Sequence, residues 1–571
     1  MRKWLLIAVV LVLLIGAVCT AQRPTFGPQT VMVPMRDGVK LATDLYMDPR
    51  GAGPWPAILL RTPYGKATST GPARGIVRAG YVYVVQDMRG RFDSEGEDTP
   101  FLTDGAGELQ DGYDTVEWLA GQDWCDGNVG MLGGSARGIT QYLAAASAPP
   151  HLRCCRVGAA APSIYHYAAY YGGVFRQQMA AGWLTGQKFR PECLALAKAH
   201  PSYDDLWRSV NLAEYAEQVN VAMVHQGGWF DCFQGGTIFG YETLQEHGGE
   251  GARGNQILVI GPGTHGTPDP EALTFPENSK EVPFPYWREF FAHYLKGEDA
   301  GIIEQGPRAY YYVMGAVGEE SAPGNFWRSA DQWPPPSQQT AYYLHADKML
   351  SEQEPADENA ALSYEYDPAN PVATIGGANL GLPKGSMDQR PAEQREDVVV
   401  FTTQPLADPT EVTGHLRAVL YISSDCPDTD FTAKLTDVYP DGRSMLIVDG
   451  IQRAKYRNSL ETPELLEAGQ VYRVEIDLWS TSLIVNSGHR IRVAISSSNY
   501  PRFSANPNTG AATDEGEEKR VATNTIHMSG EHTSYVVLPV VTGMRDWSRS
   551  GPGSSPASLA LRLPLRSAQG R

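Results

Sequence analysis

Through the first half of the chain, short unbroken apolar runs alternate with longer segments whose apolar residues recur every three or four positions. The runs are Ala57 to Leu60, Tyr81 to Val85, Val129 to Leu132, Arg156 to Ala160, Val221 to Val224 and Ile257 to Ile260. Runs this short and this apolar predict strands covered on both faces, with helices between them, for example over 109–121, 139–147 and 285–296. Ahead of them, Thr30 to Met35 and Val39 to Tyr46 flank Asp37-Gly38, a hairpin signal. The pattern predicts an α/β fold with a mainly parallel sheet, whose ligands belong beyond the carboxyl ends of the strands. A long insertion at 163–218, rich in Tyr, Ala, Trp and Gln, reads as a helical cap over those ends. Its aromatics, among them Tyr165, Tyr167, Tyr170, Tyr171, Phe175 and Trp183, either line a site or, the commoner case for any one of them, pack the cap onto the sheet.

The pattern changes after Trp327, Trp333 and the stiff Pro334-Pro335-Pro336 junction. From Thr340 onward, period-two runs separated by turn residues predict an antiparallel sandwich, a jelly roll of the galactose-binding-like type. The expected domains are an α/β core from 22–162 and 219–335, the cap at 163–218, the sandwich at 338–545 and a mobile Ser/Pro/Gly-rich tail at 546–571. The 571-residue length fits several domains.

Residues 1–21 change the picture of where the protein works. Met1-Arg2-Lys3 precedes an apolar run from Trp4 to Ile15 and a small-residue stretch ending at Ala21, which reads as a cleavable signal peptide. The run is short for a full membrane span, so an exported or periplasmic protein without a stable anchor is expected. Export permits disulfides, and the six cysteines beyond the leader allow one or two, with partners undetermined. The net charge of −18 argues against nucleic acid and anionic membranes as partners. No H-E-x-x-H, C-x-x-C or P-loop motif appears, so neither metal nor other cofactor is expected.

The candidate chemistry starts at Val129 to Thr140. An apolar run ends in Gly133-Gly134-Ser135-Ala136-Arg137-Gly138 and a helix-like segment follows. A strand entering a helix through small residues puts Ser135 on a tight turn, the nucleophile elbow of α/β-hydrolases, although Arg137 stands where the usual second glycine would be. A serine hydroxyl needs a base held by an acid, and in this fold the chain order is Ser, Asp or Glu, His. The next two strand-like runs end in that order: Val221 to Val224 leads to Asp231, and Ile257 to Ile260 leads to His265. Ser135 is therefore the expected nucleophile, His265 the base and Asp231 the orienting carboxylate. His225 is set aside because it lies on the strand itself. The oxyanion should be held by the Ala136 backbone N–H and by a donor after an early strand, where Tyr64 stands in Arg61-Thr62-Pro63-Tyr64-Gly65-Lys66.

These stretches, with Asp87 to Gly96, Asp111 to Leu119, Gly228-Trp229-Phe230-Asp231, Gly261 to His265 and Asp430 to Arg443, resemble the X-Pro dipeptidyl-peptidase and cocaine-esterase-like (CocE/NonD) hydrolases of peptidase family S15 over nearly the whole mature chain. The resemblance implies an α/β-hydrolase core, a helical cap and a jelly roll packed on both, and it supports Tyr64 as an oxyanion donor. The family usually carries an aromatic residue after the nucleophile, and here that residue is Ala136. The related amino-acid-ester hydrolases hold a substrate ammonium with carboxylates just after the triad aspartate; here those positions are Phe233 and Gln234. Trp229, Phe230 and Phe233 are expected to form an apolar pocket wall, and Arg89 to brace nearby loops through Asp87 or Asp93. The expected activity is hydrolysis of small esters, amides or Xaa-Pro peptides through an acyl-enzyme. The competing class is a non-catalytic glycan- or ligand-binding protein on the same scaffold.

Overall fold

The computed structural model describes residues 26–542, apart from 50, 52, 285, 286, 357, 358, 515 and 517. The expected leader at 1–21 and the expected tail at 546–571 lie outside the described residues.

Ten strands form the first sheet. In chain order they are β1 (Gln29–Pro34), β2 (Lys40–Tyr46), β3 (Trp55–Thr62), β4 (Val82–Asp87), β5 (Cys125–Gly134), β6 (Leu152–Gly158), β7 (Ala222–Phe230), β8 (Gln256–Thr264), β9 (Ala309–Val313) and β10 (Phe326–Ala330). Their spatial order is β1-β2-β4-β3-β5-β6-β7-β8-β9-β10. From β4 to β9 every pairing is parallel, and the antiparallel pairings lie toward the edges. The six apolar runs are the strands from β3 to β8, buried on both faces as parallel strands require. One face carries α1 (Asp111–Ala120) and α2 (Ala136–Ala146); the other carries the apolar side of the helix Trp287–Lys296. A Cβ at Gly130 of β5 would stand 2.9 Å from the Phe291 ring, so that helix lies directly on the strand. Truncating Phe291 to alanine would cost about 3–5 kcal/mol.

The second half is all β. A long antiparallel pair, Thr410–Ser424 with Tyr472–Val485, sits in an eight-stranded sheet that faces a four-stranded sheet. The two halves share one apolar core, in which Ile260 and Tyr311 pack in the same cluster as Val412 and Ile476. Their backbones also bond: the Met314 N–H donates to Ser482 O at 2.9 Å and the Ile484 N–H to Met314 O at 2.9 Å. An α/β-hydrolase core with an all-β jelly-roll domain is thus the architecture.

The sequence left one or two disulfides open. All six beyond the leader are free thiols. Cys154 and Cys155 are neighbours on β6 and enter the cores on opposite sheet faces, so neither reaches the other.

Candidate active site

Ser135 sits between the last residue of β5 and the first of α2 with φ 60° and ψ −131°. A non-glycine residue held there stores roughly 1–3 kcal/mol of strain, so its surroundings must impose it. They do so by close packing. The Ser135 N–H donates to Gly158 O at 2.8 Å and to Ala159 O at 3.1 Å. A Cβ at Gly133, whose φ is +145°, would fall 2.6 Å from the Arg137 Cβ. A Cβ at Gly138 would fall 2.6 Å from the Ala160 Cβ. The close approach therefore comes at 138, which is why Arg137 is tolerated where a shorter form of the turn has glycine.

The carboxyl ends of β7 and β8 bring the other two residues in. His265 Nε2 lies 3.1 Å from Ser135 Oγ, and His265 Nδ1 lies 2.9 Å from Asp231 Oδ2. Asp231 is buried, and its Oδ1 accepts from the Phe233 N–H at 2.8 Å. The carboxylate is thus fixed from behind and presents one oxygen to the imidazole. Burial opposes a charge on His265, but the neighbouring Cys232 and Asp231 outweigh it and hold the imidazole above its ordinary pKa. Burial also pushes the Cys232 thiol up, so at neutral pH that thiol is uncharged and Asp231 is the lasting cause. His225 is the opposite case. It is buried mid-strand, burial pulls it down to about 4, and it is neutral, accepting from the Tyr142 hydroxyl and donating to Gln256 Oε1.

Tyr64 follows β3. Its hydroxyl accepts the Trp183 indole N–H at 3.1 Å, which leaves the phenolic proton to be donated elsewhere. The Arg137 guanidinium lies 5.3 Å over the Tyr64 ring. Ala136 is the first residue of α2, where a backbone N–H has no acceptor within the helix. The Tyr64 loop is pinned by the buried Arg61–Asp104 ion pair and by the contacts of Lys66. Arg61 meets Asp104 and donates to Gln86 at 2.7 Å; the Lys66 N–H donates to Asp87 at 2.6 Å, and its ammonium meets Asp93. Arg89 does not join Asp87 or Asp93, contrary to the sequence reading. It pairs with Asp111 and Asp37, each at 2.7 Å, because α1 brings Asp111 against it while Lys66 has already taken the other two.

A cavity of about 510 Å³ opens at Ser135 and Ala136 and runs under the cap. Phe233 forms part of its wall, with its ring edge-on to His265 at 5.5 Å. Trp229 and Phe230 do not line it, which corrects the expected apolar wall. Trp229 turns to the opposite side of β7, donates its indole N–H to Tyr312 O at 2.7 Å and packs on Trp333. Phe230 stacks on Phe275. Only Phe233, beyond the strand end, is free of the sheet's pleat and faces the site.

The comparisons with known proteins now bear on this geometry. Residues 37–193 and 184–267 match the X-Pro dipeptidyl-peptidase (S15 family), and residues 300–537 match the X-Pro dipeptidyl-peptidase C-terminal non-catalytic domain. The chain is 36% identical to cocaine esterase from Rhodococcus sp. (strain MB1 Bresler), over 90% of this chain and 98% of that one. The chain belongs to the S15 family of serine hydrolases. Two solved structures share its architecture: an aminopeptidase from a marine sediment Thaumarchaeota archaeon, with TM-score 0.77, 26% identity and 92% and 99% of the two chains covered, and an α-amino acid ester hydrolase, with TM-score 0.76, 26% identity and 92% and 98% covered.

This S15 hydrolase also draws its β-sandwich into the site, which sequence reasoning missed. Leu380 reaches the cavity wall, and Lys384 donates to the backbone carbonyl of His265 at 3.0 Å. The Gly381 N–H donates to Gln178 of the cap at 3.1 Å, so one loop touches the cap and the histidine together. The loop's glycines were a signal for a turn, but nothing local said where the turn would dock. The Thr99 to Leu102 stretch of the cavity wall was missed as well. Among the described residues, one His/Cys/Asp/Glu cluster has metal-ligand spacing: Asp231, Cys232 and His265, with ligand atoms within 4.8 Å of one another. Its carboxylate and imidazole are engaged with each other and with Ser135. Among the described residues, no helix is long and apolar enough to cross a membrane.

Proposed function

We propose that this S15 hydrolase is an exported enzyme that cleaves esters or amides of small substrates through an acyl-enzyme on Ser135. The observation that carries this reading is the unbroken hydrogen-bond chain from Ser135 Oγ through His265 to buried Asp231. His265 takes the serine proton as Oγ attacks the carbonyl carbon, and Asp231 stabilises the imidazolium that forms. The tetrahedral oxyanion is held by the Tyr64 hydroxyl and the Ala136 N–H. His265 then gives its proton to the leaving alcohol or amine. Water enters by the same route in reverse and releases the acid.

Among the readings the family allows, an uncharged acyl group is favoured over a dipeptide with a free α-ammonium. Phe233 faces the cavity, and the Gln234 amide is buried and donates to Ser480 O. Neither can neutralise a cation. A fluorophosphonate probe tests the nucleophile: wild type should label and Ser135→Ala should not, and labelling that persists in the variant would sink the assignment. Turnover of p-nitrophenyl esters without cleavage of Ala-Pro-p-nitroanilide is the expected split. The opposite preference would restore the peptidase reading.

A further inference from the structure

The cap helix α3 (Pro191–Ala199) has an unusual relation to the rest of the fold. It is nine residues long and none of them is buried, although it carries Leu194, Ala195, Leu196, Ala197 and Ala199. A short apolar helix normally earns its stability by burying one face. Here Ala195, Leu196, Ala197 and Ala199 look onto the cavity that begins at Ser135. The helix therefore faces space that is continuous with the nucleophile.

The wall of that space is apolar and offers few hydrogen bonds. Ile139 stands one turn into α2, and Trp207 closes the cap side. Both tryptophan donors along the wall are engaged elsewhere: Trp183 donates to Tyr64 and Trp207 to His200 O at 2.9 Å. The two charged lining residues, Arg190 and Glu192, are exposed at the rim, and Arg190 pairs with Glu97 at 3.4 Å. Ala136 leaves the passage beside Ser135 open. Resting on the acyl-enzyme reading above, we propose that the cavity under α3 is an acyl-chain site, and that the preferred substrates carry an unbranched, uncharged aliphatic acyl group of about eight to ten carbons. The size fits: about 510 Å³ holds a dozen or more methylenes if each takes up roughly the 30 Å³ of a water in the liquid. An acetyl group leaves it nearly empty. The chain lies along Ala136, Ile139 and Leu196, and it adds apolar contact to a helix whose Leu194 and Ala197 are only partly buried against the core.

The test is a chain-length series of p-nitrophenyl acetate, butyrate, octanoate and decanoate, each below its micelle concentration. Full burial is worth about fourfold per methylene, so kcat/KM should rise at least about thirtyfold from acetate to octanoate. Leu196→Trp should cut the octanoate-to-acetate ratio at least fivefold, and Ala199→Trp repeats the test farther along the helix. Because no residue of α3 is buried, both variants should fold, which an unchanged Tm checks. A ratio at or below one in wild type overturns the proposal, and so does a ratio that neither tryptophan changes. A flat series together with a dimer that Leu196→Asp splits into monomers would assign the face to a second copy and overturn it too. Failure of the nucleophile reading looks different: no ester in the series would then depend on Ser135.

Discussion

The two walls of the cavity at Ser135 are built on opposite principles. The sheet wall is polar and over-determined. Ser135 is held by two backbone bonds, Asp231 by the Phe233 N–H, His265 by Asp231 and by Lys384 from the other domain, and the Tyr64 loop by the buried Arg61–Asp104 ion pair. The cap wall is apolar and held by packing, with Met179, Leu184 and Trp207 buried, while its helix α3 buries no residue of its own. The difference teaches which wall does which job. Groups that must hold reacting atoms to a fraction of an ångström need several constraints each, and a wall that reads only shape and apolarity needs none. Changes on the sheet wall should therefore lower turnover for every substrate alike, while changes on the cap wall should alter the ranking of substrates.

The largest effect expected is that of Asp231→Asn. Loss of the carboxylate that orients the histidine should lower kcat by about 10⁴-fold, going by the corresponding change in a serine protease. It should also move the pH profile. His265 must be neutral to accept the serine proton, so kcat/KM rises with pH through its pKa, which in wild type lies above the ordinary value. Without Asp231 the burial that opposes charge is countered only by Cys232, and the acid limb should shift to lower pH. A limb that stays in place would deny Asp231 its role. The sign for stability follows from the same pair. A histidine with a raised folded pKa stabilises the fold below about pH 6.5, and that contribution is lost as pH rises through the folded value. The stability of Asp231→Asn should therefore vary less with pH than that of wild type over this window.

Tyr64→Phe comes next. It removes the hydroxyl proposed as an oxyanion donor and leaves the ring under Arg137, so kcat should fall about 10²- to 10³-fold with KM little changed. A loss confined to KM would make Tyr64 part of the substrate-binding wall and break the contrast between the two walls.

How much of this could be read from the chain differs between the walls for a physical reason. That Ser135, Asp231 and His265 would meet was legible because a parallel sheet delivers its strand ends to one edge in a fixed chain order, and each residue follows an apolar run. The fold class was legible from the switch of hydrophobic period after the proline junction. Trp229 and Phe230 were misplaced because the direction of a side chain near a strand end depends on the register there, and the β7–β8 pairing slips between Gly261 and Thr264. Arg89 was given the wrong partners because like-charged candidates near in sequence are sorted only by tertiary packing. Leu380 and Lys384 were invisible because they come from a loop of another domain. Period and order along the chain carry information about the sheet, but not about which distant loop completes its edge.

Trp183 belongs to both walls, and it gives the smallest effect and the sharpest test of the boundary. It is a cap residue, its ring stacks on Phe101 at 5.7 Å, and its indole N–H donates to the Tyr64 hydroxyl. If the N–H positions the oxyanion donor, Trp183→Phe should keep the stack and lose only the hydrogen bond, worth about 0.5–1.5 kcal/mol. That predicts a fall in kcat of roughly three- to tenfold, equal for acetate and octanoate, because a misaligned Tyr64 serves every oxyanion equally badly. In a Tyr64→Phe background the same change should cost almost nothing, since there is no hydroxyl left to align. An undiminished loss in the double variant, or a loss that grows with acyl length, would make Trp183 a wall for the acyl group and nothing more. The polar machinery would then end at Tyr64.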